Sequence, residues 1–347
     1  MPFLKVLLWP FTILYNLITK LRNYLFDIGH KPSFEFQSIV ISIGNLNVGG
    51  SGKTPMIEYL VRLLRDQYHL AIVSRGYGRK TKGLRIASES DNADTLGDEP
   101  YQYYRKFGKW VTICVAEERA LAIPTILLQQ PSTQVILLDD AFQHRTVIPQ
   151  FSILLTELGK PFYEDYVLPF GRLRESRRGA KRADVIVVTK CKELISQQHI
   201  VDKIQHYSGD KPVFFSGMQY LQPVAFAAAH DIGQKVVLVS GVANSSSLEA
   251  YVASHFTMIK HFQFADHYSY SPIDVQEIES YTKKHEVGAI LTTEKDMVKL
   301  ISSKLSSSLN SGLWFYLPVE TVFINRGSEF DEKIIHVIET KREELNQ

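Results

Sequence analysis

Cysteine is nearly missing. The 347 residues hold only Cys114 and Cys191, far apart in the chain. No disulfide framework and no cysteine zinc spacing can be built from these two, which fits a reducing compartment. Net charge is nearly missing as well, at +2 from 39 Lys and Arg against 37 Asp and Glu. No global field therefore argues for nucleic acid, and any basic patch must be local. Long hydrophobic runs are absent too. The longest uncharged stretch near the amino terminus, Val6 to Thr19, is fourteen residues, short of the roughly 20 that a span needs. That argues against a transmembrane helix, and no small-residue cleavage site follows to mark a signal peptide. There is no internal repeat, and the polar tract "SSKLSSSLNSG" (302–312) suggests a loop or frayed helix end with no chemistry. At 45% hydrophobic and 22% charged residues the chain is a folded one, and its length calls for two domains.

What is present begins with the amino terminus. Leu4, Leu7, Phe11, Leu14, Ile18, Leu21 and Leu25 follow alternating steps of three and four, one apolar stripe on a helix. Lys5, Thr12, Asn16, Thr19 and Asn23 fall on another face. Trp9, Tyr15 and Tyr24 suit a membrane interface. Two readings stay open on these residues: a helix lying in a membrane surface, or an ordinary helix packed on the core.

Downstream, short apolar, β-branched runs alternate with helix-like stretches. They occupy 38–45, 69–78, 110–117, 134–140, 151–157 and 183–190, with a further candidate at 212–218. This alternation indicates an α/β fold with a parallel sheet covered on both faces. Two more segments, 235–244 and 287–296, suggest a second α/β unit. The expected division is an amino-terminal helix over 1–30, a core domain over 31–220 and a smaller carboxyl-terminal domain over 221–347.

The first apolar run opens into "GNLNVGGSGKTP" (44–55). A phosphate-binding P-loop reads G-x-x-x-x-G-K-[ST], and here Asn47 stands where the first glycine belongs. Asn visits the left-handed region more readily than most non-glycine residues, which would let it replace glycine there. Gly49, Gly50, Ser51 and Gly52 keep the backbone amides close to a phosphate, and a helix start supplies further donors. Lys53 would neutralise phosphate charge and Thr54 would hold Mg²⁺. Pro55 fits the first helical turn. The alternative is a tight glycine turn with an exposed lysine.

A metal-bound phosphate site needs a carboxylate. "VILLDD" delivers Asp139 and Asp140 at the carboxyl end of a buried strand, the edge where α/β sheets bind ligands. Asp139 is the candidate for Mg²⁺ contact, against a plain helix N-cap. Guanine specificity would require an N/T-K-x-D element; "TKCK" (189–192) has Lys192 in place of Asp, so ATP is favoured. "LGDEP" (96–100) sets Asp98 and Glu99 in a turn. "GRLRESRRGAKR" gathers six cations in twelve residues, suited to phosphate groups or simply a solvated basic surface. His267 of "FADHY" stands beside Asp266, and by itself a histidine is more often structural than catalytic.

"GNLNVGGSGKTP", "SRGYGR", "GDEP", "DDAFQHR", "GRLRE", "SGVAN", "FADHY" and "TTEKD", in this order from 44 to 296, resemble the motifs of the tetraacyldisaccharide 4′-kinases of lipid A biosynthesis. The resemblance implies a P-loop kinase core, a smaller carboxyl-terminal α/β domain and a membrane-associated amino-terminal helix. It implies ATP and Mg²⁺, a lipid A disaccharide precursor as acceptor and the cytoplasmic face of the bacterial inner membrane, with no nucleic acid partner. Residue by residue, it makes Asp98 the base, His267 its partner, Asp140 the group that orients or charge-balances this histidine, and Lys53 catalytic. It puts Thr54, Asp139 and Glu99 at the metal, and Arg75, Gln143, Arg172, Arg174 and Glu175 at the substrate. Tyr268 and Ser176 stand where the family often has histidine and proline. A competing class is a membrane-surface P-loop ATPase acting as a switch or assembly factor. Those resembling the partition ATPases carry a lysine where this chain has Val48.

Overall fold

A computed structural model describes residues 2–192, 197–227, 231–301, 305 and 308–345, with backbone only for 2–7 and 345. Among the described residues two sheets form. The larger contains β1 (Ile39–Asn45), β2 (Leu70–Ser74), β3 (Arg85–Ile86), β4 (Val111–Val115), β5 (Val135–Asp139), β6 (Phe151–Glu157), β7 (Val185–Thr189) and β8 (Val213–Tyr220). The smaller contains β9 (Val224–Ala225), β10 (Lys235–Ser240), β11 (Thr257–Gln263), β12 (Ala289–Thr293) and β13 (Trp314–Leu317). A last strand, β14 (Val319–Phe323), returns to the larger sheet.

The strand order of the larger sheet is β14-β8-β7-β6-β1-β5-β2-β4-β3, parallel from β8 to β4. β1 is buried along its whole length, as its run of Ile and Val dictates for a strand covered on both faces. After β1 the chain crosses to β2 on one side of the β1–β5 pair, and after β5 it crosses to β6 on the other. The crevice beyond the carboxyl ends of β1 and β5 is therefore a topological switch point, where such sheets bind ligands.

The helices are α1 (Pro2–Asp27), α2 (Lys53–Leu64), α3 (Ala93–Leu96), α4 (Asp98–Phe107), α5 (Arg119–Gln129), α6 (Gln197–Ser208), α7 (Ser246–His255), α8 (Pro272–Lys284), α9 (Glu294–Leu300) and α10 (Gly327–Leu345). The main core joins Ile41 and Ile43 of β1, Met56, Leu60 and Leu64 of α2, and Phe330, Ile334 and Ile338 of α10. The stretch expected to stay together as a carboxyl-terminal unit, 221–347, thus divides. Residues 224–317 build the smaller sheet, whereas β14 pairs antiparallel with β8 and α10 packs on the first sheet. The apolar stripe of α10 finds its burial there, and β14 covers the open edge of β8.

Candidate functional site: a phosphate-binding loop facing a carboxylate–histidine pair

The loop after β1 is held by glycines where φ is positive. Gly49 has φ 113° and Gly52, the cap residue of α2, has φ 83° with no capping side chain. The first amides of α2 are thereby left without a side-chain cap, as an anion site requires. Asn47 does not occupy the left-handed region that its motif position suggested. It bridges to Leu173, and its buried amide donates to Asp165 Oδ2 at 2.9 Å. The side chain, not the backbone angle, explains asparagine here. Lys53 Nζ sits 3.6 Å from Asp140 Oδ1, and Ser51 O accepts from Thr189 Oγ1 at 2.9 Å. Gly44, one turn earlier, lies so close to the next motif that an added Cβ would come within 2.6 Å of Phe142 Cβ. Only glycine lets β1 pass beneath the Asp139–Gln143 turn.

That turn separates its two carboxylates. Asp139 ends β5, is 4% exposed and accepts from Ser74 Oγ at 3.0 Å. Burial first, then the charges of Glu99 and Asp140, push it up to about 7. Asp140 adopts φ 47° and turns the other way, where Arg174 Nη1 lies 2.9 Å from both its oxygens. Burial opposes its ionisation, but Lys53 and Arg174 outweigh that and hold its carboxyl below the usual range. Asp140 was expected to orient His267; it is engaged instead with Lys53 and Arg174.

The second motif enters from α4. Gly97 (φ 94°) and Gly76 (φ 69°) pack backbone on backbone, since a Cβ on either would meet a carbonyl oxygen at 2.8 or 2.6 Å. This contact sets Asp98 and Glu99 into the first turn of α4, where a helix dipole favours anions. Glu99 reaches the P-loop side electrostatically, as its effect on Asp139 shows. Tyr103, one turn on, is fully buried; burial first, then Asp139 and Glu99, push its hydroxyl well above 10. Asp98 Oδ2 lies 3.2 Å from Nδ1 of His267, which is held at φ 59° in the loop after β11. Residues from both sheets are therefore brought together: Lys53, Thr54, Asp139 and Asp140 on one side, and Asp98, Glu99 and His267 on the other.

The hard oxygen donors of Thr54, Asp139 and Glu99 suit Mg²⁺. Asp139 is raised mainly by burial and secondarily by the neighbouring charges of Glu99 and Asp140, and a divalent cation there would favour its ionised form. Among the described residues no group of three or more His, Cys, Asp or Glu side chains forms a ligand cage.

The basic segment is mostly consumed by internal pairs. Arg172 pairs with Asp165 at 2.9 Å, Arg177 donates to the Asp165 carbonyl and to Tyr207, and Arg182 pairs with Glu175 at 2.8 Å. Arg178 and Lys181 are exposed. Glu175, expected at the substrate, is 2% exposed. Its oxygens accept from Gln143 at 3.0 Å, Arg182 at 2.8 Å and Asn23 at 2.6 Å. It is a buried knot tying α1 to the turn after β5, because an unpaired buried carboxylate would be too costly. Gln143 also donates to the Asn45 carbonyl at 2.9 Å and shares this internal role. Arg75 is exposed at the end of β2.

Two groups carried no clear sequence signal. Arg119 is buried beneath Asp139 and Asp140, and burial lowers its guanidinium below the usual value. His144 accepts from the Arg119 backbone amide, and burial first, then Arg119, pushes it down to about 4. Lys295 was visible in "TTEKD", whereas Lys299, three residues beyond that motif, carried no signal; only the fold carries them to His267 and Asp98.

α1 docks by its polar face. The Phe170 amide donates to Thr12 Oγ1, Tyr15 OH donates to the Arg174 carbonyl, and Arg22 donates to the Gln143 carbonyl at 2.6 Å. Phe11, Ile13, Leu14, Leu17, Ile18, Leu21 and Tyr24 point outward, each 48–60% exposed. The alternative of an apolar stripe packed on the core is thus overturned for Phe11, Leu14, Ile18 and Leu21. Leu25 is half-buried, and the side chains of Leu4 and Leu7 lie outside the described residues. No helix among the described residues is long and apolar enough to cross a membrane.

A parallel sheet with a phosphate-binding loop at its switch point and acidic residues facing that loop defines an α/β protein of the P-loop nucleotide-binding class. The sequence pattern of the LpxK family, tetraacyldisaccharide-1-P 4′-kinase, matches residues 4–339, and the chain belongs to that family. It is 42% identical to a tetraacyldisaccharide 4′-kinase of Flavobacterium psychrophilum over 349 residues, 98% of each chain. It is 39% identical to one of Bacteroides thetaiotaomicron over 356 residues, covering 96% of this chain and 93% of that one. A crystal structure of LpxK from Aquifex aeolicus in complex with ATP superposes with a TM-score of 0.76 at 29% identity, covering 96% of this chain and 99% of the other.

Proposed function

We propose that this chain transfers the γ-phosphoryl group of ATP to the 4′-hydroxyl of tetraacyldisaccharide 1-phosphate. The observation that carries this reading is the Asp98–His267 pair beside Glu99, whose charge acts on Asp139 next to the Lys53–Asp140 contact, within a chain of this family. A hydrolase or switch needs only the Lys53 side of that arrangement.

Bound Mg²⁺ would neutralise the phosphate oxygens and hold them for in-line transfer. Thr54 and Asp139 hold the metal in this reading, with Glu99 adding charge from the other side. Lys53 stabilises charge on the transferring group. Asp98 takes the 4′-hydroxyl proton as the new oxygen–phosphorus bond forms and the bond to the ADP oxygen breaks. Asp140 and Arg174 keep Lys53 in place, since Lys53 and Arg174 share that carboxylate. Arg75 and the exposed cations Arg178 and Lys181 are the groups available to meet the acceptor's phosphate, and Arg172, paired with Asp165, is 40% exposed.

The acceptor is an acylated lipid, and α1 presents an uncovered apolar stripe beside the basic segment. In our reading this stripe lies in the membrane surface, on the cytoplasmic face of the inner membrane. The test is transfer from radiolabelled ATP to tetraacyldisaccharide 1-phosphate with Mg²⁺ and the detergent-solubilised full chain. A phosphorylated lipid is expected. ATP hydrolysis indifferent to the lipid, with no phosphorylated product, would replace this reading with a membrane-surface ATPase.

A further inference from the structure

Between the two sheets, α9 brings two ammonium groups to the Asp98–His267 pair. Lys295 Nζ lies 3.2 Å from His267 Nε2 and 3.0 Å from Asp266 Oδ1. Lys299 Nζ lies 3.7 Å from Asp98 Oδ2 and 3.2 Å from Asp296 Oδ1. A lysine ammonium has three donors and no acceptor. The His267 nitrogen that faces Lys295 must therefore accept, and the ring proton must sit on the other nitrogen, Nδ1, which faces Asp98 Oδ2 at 3.2 Å.

We propose that Lys295 is a positioning residue that fixes the tautomer of His267, making the histidine a hydrogen-bond donor to Asp98. The inference deepens the phosphotransfer reading and rests on it for its consequence. With Nε2 occupied, His267 has no free lone pair for the proton leaving the acceptor hydroxyl. That proton goes to Asp98, whose Oδ1 is not engaged by the ring, while Nδ1–H steadies the Oδ2 side.

The ring is 35% exposed, and its protein-facing side is held by several groups. The His267 amide donates to Asp266 Oδ1 at 3.1 Å, and the Tyr77 ring meets the imidazole edge-on at 5.3 Å. Glu99 Oε1 lies 4.0 Å from Lys295 Nζ. The helix bearing Lys295 is itself pinned at its preceding residue, where Lys106 joins Glu294 at 2.9 Å and Glu58 of α2 at 2.6 Å. Asp296, fully buried, accepts from the Gly241 amide at 2.8 Å and from Thr293 Oγ1 at 2.7 Å. A lysine on a mobile loop could drift off the ring; one set between two buried carboxylate anchors cannot.

Removing the ammonium frees the His267 ring nitrogen and Asp266. Asp266 Oδ1 is 4.0 Å from His267 Nε2 and would then accept a proton carried there. The test is ring-¹⁵N NMR of histidine-labelled full chain in detergent, without acceptor, at a pH where the ring is neutral. The His267 signal is assigned by its loss in His267→Gln. An unprotonated Nε2 with a protonated Nδ1 is expected. In Lys295→Met the unprotonated Nε2 signal is lost, and Lys295→Arg retains it. A protonated Nε2 in the parent chain, or an unchanged pattern in Lys295→Met, overturns the assignment. Nucleotide binding by Lys295→Met, measured separately, establishes that the variant is folded. No transfer of phosphate is involved in this measurement. A chain that shows the tautomer pattern but phosphorylates no lipid would sink the kinase reading and leave Lys295 in its role.

Discussion

His267 Nδ1 stands 3.2 Å from Asp98 Oδ2, although 169 residues separate the two in the chain. The contact joins the loop after β11, in the smaller sheet, to the first turn of α4, on the larger one. If Asp98 is the base, Asp98→Ala lowers the transfer rate by roughly 10²–10⁴-fold, while nucleotide affinity changes little. His267→Asn, whose amide can place a donor where Nδ1–H stands, retains more transfer than His267→Gln. Steady-state transfer assays and nucleotide titrations check both expectations.

Asn47 discriminates between two explanations of the broken loop pattern. Because its amide donates to Asp165 and its φ is not positive, glycine at this position repairs nothing. Asn47→Gly and Asn47→Ala should both destabilise the chain by about 1 kcal/mol through the lost buried hydrogen bond. Both should weaken nucleotide binding. Tighter binding in Asn47→Gly would show that backbone freedom was the limiting feature after all. Thermal denaturation and nucleotide titration make the comparison.

Glu294 carries the pH dependence between the two sheets. Burial first, then the charge of Glu58, pushes it up to about 7, against the attraction of Lys106. Its raised value means that the native chain binds this proton more tightly than the unfolded chain does. The associated stability is present below about pH 4.5 and is lost as pH rises through about 7. Glu294→Gln cannot lose a proton there. Its melting temperature relative to the parent should rise by a few degrees from pH 5 to pH 8, as denaturation scans across that range would read.

The apolar stripe of α1 separates membrane attachment from folding. Leu14→Glu with Ile18→Glu places two charges on positions that are 56% and 57% exposed, so each change should shift stability by no more than about 0.5 kcal/mol. Liposome co-sedimentation should fall sharply. Asn23→Ala is expected to do the reverse, because it strips a donor from the buried Glu175 carboxylate at a cost of roughly 1–3 kcal/mol.

Much of the larger sheet was legible because parallel strands buried on both faces must be continuous apolar runs. β1, β2, β4, β5, β6 and β7 each fall on or within such a run, and β8 overlaps the 212–218 run but extends two residues past it. The edge strands β3 and β14 were not legible. β3 is two half-buried residues, and the burial of β14 is mixed, so neither carries a period. The helical stripe of α1 was visible, but not which face would dock. Its polar residues find buried partners in the loops after β5 and β6, and that pairing exists only once those loops are folded.

The sequence by itself determined the chemistry available: a glycine loop ending in Gly52-Lys53-Thr54, carboxylates at 98, 99, 139 and 140, and a histidine at 267. These follow from local spacing, which a single turn or strand end enforces. Which carboxylate meets which cation was decided only by tertiary structure. Asp139 and Asp140 are adjacent in sequence, yet the left-handed turn at Asp140 sends one into the buried floor and the other to Lys53 and Arg174. Likewise local spacing offered His267 no partner beyond Asp266, and its pairing with Asp98 came only through the family resemblance. The packing of α9 against α4 brings Asp98 and Lys295 to this solvent-facing ring, because groups 169 and 28 residues away in the chain meet it only once the two sheets have packed.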